Sequence, residues 1–218
     1  CEGALNQVRQ KTQRNQKVFV ETCSQYLMID ASLYEREDGA KWVMSPPLRE
    51  KKDQESLWAG INQGLIQVVG TDHCPFTLEQ KDMGKDNFAK IPNGHPAIEH
   101  RMEFMYSEGV RKGKISLPKF VEITSTNAAK IFGMYPRKGT IAIGADADLV
   151  IFDPNKKHII SAETHHMRCD YSGYEGWEVT GKTETVILRG KVAIENETCL
   201  LQPGDGKFIP RGKSSLVI

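Results

Sequence analysis

Leu65-Ile66-Gln67-Val68-Val69-Gly70-Thr71-Asp72-His73 is the stretch on which the fold turns. Residues 65–71 are apolar almost throughout, and both flanks lack strand character. A run of this kind bracketed by helices suits a strand covered on both faces, as in parallel α/β sheets, whereas a half-exposed antiparallel strand alternates polar and apolar residues. Ahead of it, residues 51–63 carry Leu57, Trp58 and Ile61 on one side and Gly64 after the end, the pattern of a helix with a glycine stop. Behind it, residues 75–96 are rich in turn formers, with Asn93-Gly94 near the close. Asp72 and His73 therefore stand at the C-terminal mouth of a buried strand, where open sheets and barrels collect their ligands.

Working outward, residues 2–14 place Leu5 and Val8 on one helical face, and Lys17-Val18-Phe19-Val20-Glu21-Thr22 follows as a second strand. Residues 23–48 are irregular, with Gly39, Pro46 and Pro47, and are long enough for a functional loop holding a short helix near 31–36. Residues 97–109 return to helix. Ser116 is placed to cap a further helix that tolerates Pro118 in its first turn, runs through Phe120, Ile123, Ala128 and Ile131, and stops near Gly133. Ser125-Thr126-Asn127 marks either a break and recap or an uninterrupted helix.

After Pro136 the texture changes. Residues 149–152 read as a strand stopped by Asp153-Pro154, and the apolar runs 185–188 and 191–194 flank Arg189-Gly190 as a β-hairpin. Residues 204–212 read as an extended arm. The chain thus divides into α/β material over 1–140 and β material over 141–218. Neither part closes on itself: two parallel strands cannot complete a sheet, and a few antiparallel strands leave an apolar face uncovered.

Over 218 residues the formal net charge is +1, with 39% apolar and 26% charged residues, a balance without electrostatic bias toward nucleic acid or acidic membranes. No apolar run approaches the roughly 20 residues of a membrane-spanning helix. The short basic segments Arg137-Lys138-Gly139 and 207–211 read as solvated faces, and no phosphate-binding or dinucleotide fingerprint occurs. Cysteines 1, 23, 74, 169 and 199 show no paired or finger-like spacing, which suits a reduced, cytoplasmic protein. Cys1-Glu2-Gly3-Ala4 lacks both an initiator Met and a leader pattern, and the sequence reads as the middle of something longer.

Asp72 is the first candidate for chemistry. A carboxylate that ends a buried strand can offer one oxygen to a divalent metal while the other exchanges a proton with an activated water. The plainer alternative is an Asp that caps the next turn. His73 faces away from Asp72 if the strand continues, which suits packing, and Cys74 before Pro75-Phe76 reads as wall rather than nucleophile. His95 and His100 are off the helical spacing of four and read as surface or supporting residues. Neighbouring His165-His166 face opposite ways in β structure and do not suit a shared metal. Ser45, in the loop after the first strand, and Asn93, in the loop after the second, should rise on the face that carries Asp72. A proline-stiffened loop and an Asn-Gly turn can fix main-chain groups to bind a planar amide, or can be ordinary turns. Glu21 is a rim carboxylate or a solvated one.

Taken together, Glu21-Thr22-Cys23-Ser24-Gln25-Tyr26-Leu27, Met44-Ser45-Pro46-Pro47-Leu48-Arg49, Gly70-Thr71-Asp72-His73-Cys74-Pro75-Phe76 and Ile91-Pro92-Asn93-Gly94 with Glu99 and Arg101 resemble the C-terminal half of dihydropyrimidinase and D-hydantoinase. Residues 124–131, 138–153 and 204–210 extend the likeness over essentially the whole chain. This is the cyclic branch of the amidohydrolase superfamily. The resemblance implies an α/β fold: 1–140 as the C-terminal portion of a metal-dependent (β/α)8 barrel, with strands seven and eight at 17–22 and 65–71, and 141–218 as the C-terminal portion of a β-sandwich with a tail.

It further implies hydrolysis of dihydropyrimidines or 5-substituted hydantoins to N-carbamoyl amino acids, in pyrimidine degradation, by a cytoplasmic homotetramer. The family holds two divalent metal ions, commonly zinc, with an H-x-H pair, a carboxylated lysine, two further histidines and one aspartate. Asp72 matches that aspartate, as metal ligand and catalytic proton shuttle. Ser45 and Asn93 match the residues whose main-chain groups bind the cyclic amide or imide. The other ligands and a lid tyrosine belong to upstream regions, so the resemblance implies a missing N-terminal half without which this chain is inactive. The alternatives it leaves are a non-catalytic assembly or protein-binding relative of the collapsin-response-mediator kind, an allantoinase, or a dihydroorotase.

Overall fold

The computed structural model describes residues 1–216. At its centre β1 (Glu21–Cys23) and β2 (Val68–Gly70) pair in parallel, with Glu21 opposite Val68, Thr22 opposite Val69 and Cys23 opposite Gly70. Both strands are shorter than their apolar runs. Leu65 and Ile66 both donate to the Gly60 carbonyl, closing the end of α3 (Lys51–Asn62) around Gly64 at φ 73°, so these two residues finish a helix instead of extending a strand. On the other side, pairing begins only at Val20, whose carbonyl accepts from Gln67 and Val68. Phe19, ahead of the paired residues, stays exposed.

Helices cover the strand pair. Leu5 of α1 (Glu2–Gln13), Leu27 of α2 (Ser24–Met28) and Leu57, Trp58 and Ile61 of α3 pack against Ile66 and Val69. Met105, Tyr106, Phe120 and Ile123 complete this core. Helix α4 (Leu78–Asp82) lies in the loop after β2, and a short 3-10 turn occupies Ala31–Glu35.

Two helical stretches are widened. The helix expected from residue 97 starts later, as α5 (Arg101–Phe104), and runs on as a π-helical segment, Met105–Arg111. Helix α6 (Leu117–Val121) is capped by the Ser116 side chain and carries Pro118 in its first turn, as expected. It passes through a π-helical turn, Glu122–Thr126, into α7 (Asn127–Ile131), so the Ser125-Thr126-Asn127 cluster makes a bulge without interrupting the helix. The Thr124 hydroxyl bonds the Phe120 carbonyl, and Asn127 reaches the main chain of Gln67 at the entrance to β2.

The later residues form an antiparallel sheet of β3 (Leu149–Ile159), β4 (Glu178–Leu188), β5 (Lys191–Glu195) and β6 (Thr198–Cys199), in that order. Arg189 and Gly190 both have positive φ, 49° and 81°, which suits a two-residue hairpin turn. Asp153-Pro154 does not stop β3. Pairing moves from Asp153 opposite Lys182 to Lys157 opposite Thr180, and the Asp153 carboxylate caps the Asn155 amide inside the resulting bulge. A second core joins both sides of residue 140: Trp42, Met44, Leu48 and Phe104 pack with Ile160, Tyr174 and Val179. The arm returns to α7, where Gly212 bonds Gly133 and Ser215 bonds Lys130. No helix among the described residues is long and apolar enough to cross a membrane.

Candidate active site

Asp72 leaves β2 by a sharp turn rather than by continuing it. Its φ is 46°, and the carboxylate is exposed at the strand's C-terminal end. Two part-buried contacts fix the chain just before it: Gln25 Nε2 donates to the Thr71 carbonyl at 2.9 Å and Arg101 Nη1 to the Val69 carbonyl at 2.7 Å. Burial lowers the Arg101 guanidinium pKa, and the nearby Glu21 carboxylate partly restores it.

Asp72 lines a cavity of about 460 Å³ with Glu21, Cys23, Tyr26, Pro46 and Pro47. Tyr26 donates its hydroxyl to the Pro46 carbonyl at 2.8 Å, which anchors the proline loop to the cavity wall. Burial, then the charges of Glu21 and Asp72, pushes the Cys23 thiol up to about 12, so it stays protonated and is no nucleophile.

Ser45 and Asn93 meet. The Ser45 hydroxyl donates to Asn93 Oδ1 at 3.1 Å, and Gly94 N donates to the Val43 carbonyl at 3.1 Å, so the two loops are cross-linked beside each other. A residue that pattern reading passed over sits beneath them. Lys81, 1% exposed, donates its ammonium to the carbonyls of Val43 at 2.9 Å, Pro92 at 2.7 Å and Gly94 at 2.8 Å. Burial lowers its pKa to about 8, the Cys74 thiol pulling slightly the other way. In the sequence it looks like one more polar helix position, because its three partners lie 11 to 38 residues away.

This geometry has close relatives. The Amidohydrolase family matches residues 18–193. The chain belongs to the amidohydrolase family. It is 48% identical to a D-hydantoinase of Geobacillus stearothermophilus over 98% of this chain and 46% of the relative, and 44% identical to a D-hydantoinase of Ralstonia pickettii over 98% and 47%. Among solved structures it superposes on a dihydropyrimidinase from Brevibacillus agri with a TM-score of 0.96 and 48% identity, covering 100% of this chain and 48% of that one. The chain therefore spans about half the length of the relatives it matches, and shares their mixed α/β fold.

In this amidohydrolase chain the histidines do not act as a metal cluster. The strand ends before His73, whose Nδ1 accepts from the amides of Ala97 and Ile98 at 3.2 and 3.4 Å; burial lowers its pKa, in keeping with a neutral acceptor. His95 and His100, expected at the surface or in support, are buried at 1% and 6% exposure. His95 packs edge-on to Tyr174 and burial drives its pKa down to about 3, so it is a neutral core residue. His166 pairs with Glu99 at 2.7 Å, while His165 bonds the Cys169 carbonyl, so the two neighbours do part ways. Among the described residues no group of three or more His, Cys, Asp or Glu side chains could hold a metal ion. Asp72 can supply one ligand; the donors present here do not make a site.

Proposed function

We propose that this chain is the C-terminal half of a hydantoinase or dihydropyrimidinase, which opens the cyclic amide bond of dihydropyrimidines or 5-substituted hydantoins to give N-carbamoyl amino acids. The observation that carries the reading is Asp72, an exposed carboxylate at the mouth of β2, in a chain 48% identical to a D-hydantoinase over 98% of its length. On this reading residues 1–140 belong to a (β/α)8 barrel, with β1 and β2 as its seventh and eighth strands, and 141–218 to a β-sandwich. Asp72 contributes one carboxylate to a pair of divalent ions, zinc by family resemblance, whose remaining ligands lie outside this chain. Such ions, when bound, would supply Lewis-acid chemistry suited to an amide carbonyl and to a water nucleophile.

The chain's own residues then handle binding and protons. Main-chain groups of Ser45 and Asn93 hold the planar ring, in loops that cross-link each other and so keep their spacing. Asp72 accepts the proton of the attacking water. As the new C–O bond forms and the ring C–N bond breaks, Asp72 returns that proton to the departing ring nitrogen. The assembly is a cytoplasmic homotetramer serving pyrimidine degradation.

The full-length protein, assayed with dihydrouracil and with 5-substituted hydantoins alongside metal analysis, tests this. Turnover to the N-carbamoyl product with bound metal is expected. A folded protein that binds no metal and turns over neither class would replace the hydrolase by a non-catalytic relative acting through assembly.

A further inference from the structure

We infer that Lys81 is a positioning residue of the substrate rim: its buried ammonium brackets the Ser45 and Asn93 loops and strengthens the Asn93 N–H as a donor to the cyclic amide. The inference rests on the function proposed above and adds to it a residue that touches neither metal nor substrate.

An ammonium has three N–H donors, and all three are spent on main-chain carbonyls. Among the described residues no carboxylate pairs with Lys81. The charge is balanced by peptide dipoles and by the ring of Phe76, 5.5 Å away. A buried charge without a counter-ion is costly to keep, and a Met or Leu would fill the same volume at less cost. The helix that carries it is fixed by a capping box between Thr77 and Gln80, so the side chain is presented from a defined base.

The acceptors are placed where they bear on the rim. Val43 lies two residues before Ser45, and Pro92 and Gly94 bracket Asn93. The Pro92 carbonyl and the Asn93 N–H belong to one peptide group. A cationic donor on the oxygen draws electron density through the amide and makes its N–H more acidic and a better donor. Among the described residues that N–H donates to no protein acceptor, and Asn93 is exposed, so the strengthened donor is left free for a ligand. The start of the loop after β2 is tied to the same junction by Cys74 N, which donates to the His95 carbonyl at 3.3 Å. An Arg would keep the charge but not the role, because a planar fork cannot reach three carbonyls converging on one point.

The test uses the full-length protein. Lys81→Met and Lys81→Arg are each expected to raise KM for dihydrouracil or hydantoin about tenfold or more, with kcat within about threefold and metal content unchanged, the split that marks lost ground-state binding. Amide hydrogen exchange of peptides over 42–47 and 91–96 should speed about tenfold in Lys81→Met, while peptides from α3 hold their rates. Should Lys81→Met not fold, Lys81→Gln carries the same comparison. Unchanged KM in an active protein, or unchanged exchange in the two loops, overturns the inference. A wild type that hydrolyses no cyclic amide overturns the proposed function instead, and the exchange measurement still decides the bracket.

Discussion

Asp72 occupies the left-handed region at φ 46°, which Asp and Asn tolerate better than other side chains because their short polar groups can bond locally. Asp72→Asn should therefore fold normally, within about 0.5 kcal/mol of wild type, since it keeps shape and conformation. Hydrolysis by the full-length protein should fall about 10²- to 10⁴-fold, the usual worth of a general acid–base group. Asp72→Gly should lose activity equally yet unfold at the same or a higher temperature, gaining up to about 1 kcal/mol from relieved backbone strain; a clear drop in its thermal midpoint would refute the strain. Glu103 makes a pH-dependent prediction. Burial pushes its carboxyl up, but His100 at 3.6 Å and His158 at 3.0 Å more than offset that and hold it at about 2 against an ordinary 4.5. A carboxylate depressed by folding adds stability above its unfolded value and loses it as pH falls through its folded one. Urea titrations between pH 5 and 2, read against the ordinary 4.5 and the folded value of about 2, should show the wild type losing stability more steeply than Glu103→Gln. Parallel slopes would remove Glu103 from the acid limb. The position of Asp72 at the C-terminal mouth of β2 was legible because the apolar run before it ends there. Lys81 and His95 were not, because their burial is decided by residues that no local pattern links to them.

The loops of the rim depend on one close approach. A Cβ on Gly94 would lie 2.3 Å from the Cys74 carbonyl oxygen and 2.8 Å from the Phe76 ring, neither of which is the free end of a flexible chain. Gly94→Ala should destabilise by about 1–3 kcal/mol and move the Asn93 loop, raising KM in the full-length protein. Gly3→Ala, in α1 with nothing within 4 Å of its new methyl, is the control and should stabilise by up to about 1 kcal/mol. Thermal unfolding of the pair decides it: equal midpoints would mean that the contact yields without cost. At this scale the sequence reading succeeded where a signal is local. The Ser116 cap and the Arg189-Gly190 turn each need only neighbouring residues, and both stand where the pattern put them. Strand lengths failed because a strand exists only where its partner runs, and Leu65 and Ile66 are apolar yet bonded to the end of a helix. Asp153-Pro154 misled for the same reason, since β4 continues past it and the sheet takes up the extra residues as a bulge.

For the molecule as a whole, the two parallel strands pair along one edge each and, among the described residues, leave the other open, and the antiparallel sheet keeps Val150 and Ile151 at 52% exposure and Ile159 at 62%. Val150 and Ile151, as neighbours in a strand, face opposite ways, and apolar surface of this kind on a structured sheet marks surface that something else covers. The proposed upstream half would supply both the missing strands and the missing ligands, so completion of the fold and completion of the metal site are one event. Zinc sites in proteins use three or four side-chain ligands, and on the proposed reading this chain supplies one, Asp72. The 218-residue chain on its own should therefore bind no stoichiometric zinc after equilibration and dialysis, and should bind an apolar dye and self-associate as its concentration rises. Co-expression with the segment that carries the remaining ligands should remove the dye binding and introduce the metal together, in the same fractions. Metal analysis and dye fluorescence across a gel-filtration profile read both quantities at once. Stoichiometric zinc on the isolated chain would mean that its own side chains form a site, and would separate metal binding from assembly of the two halves.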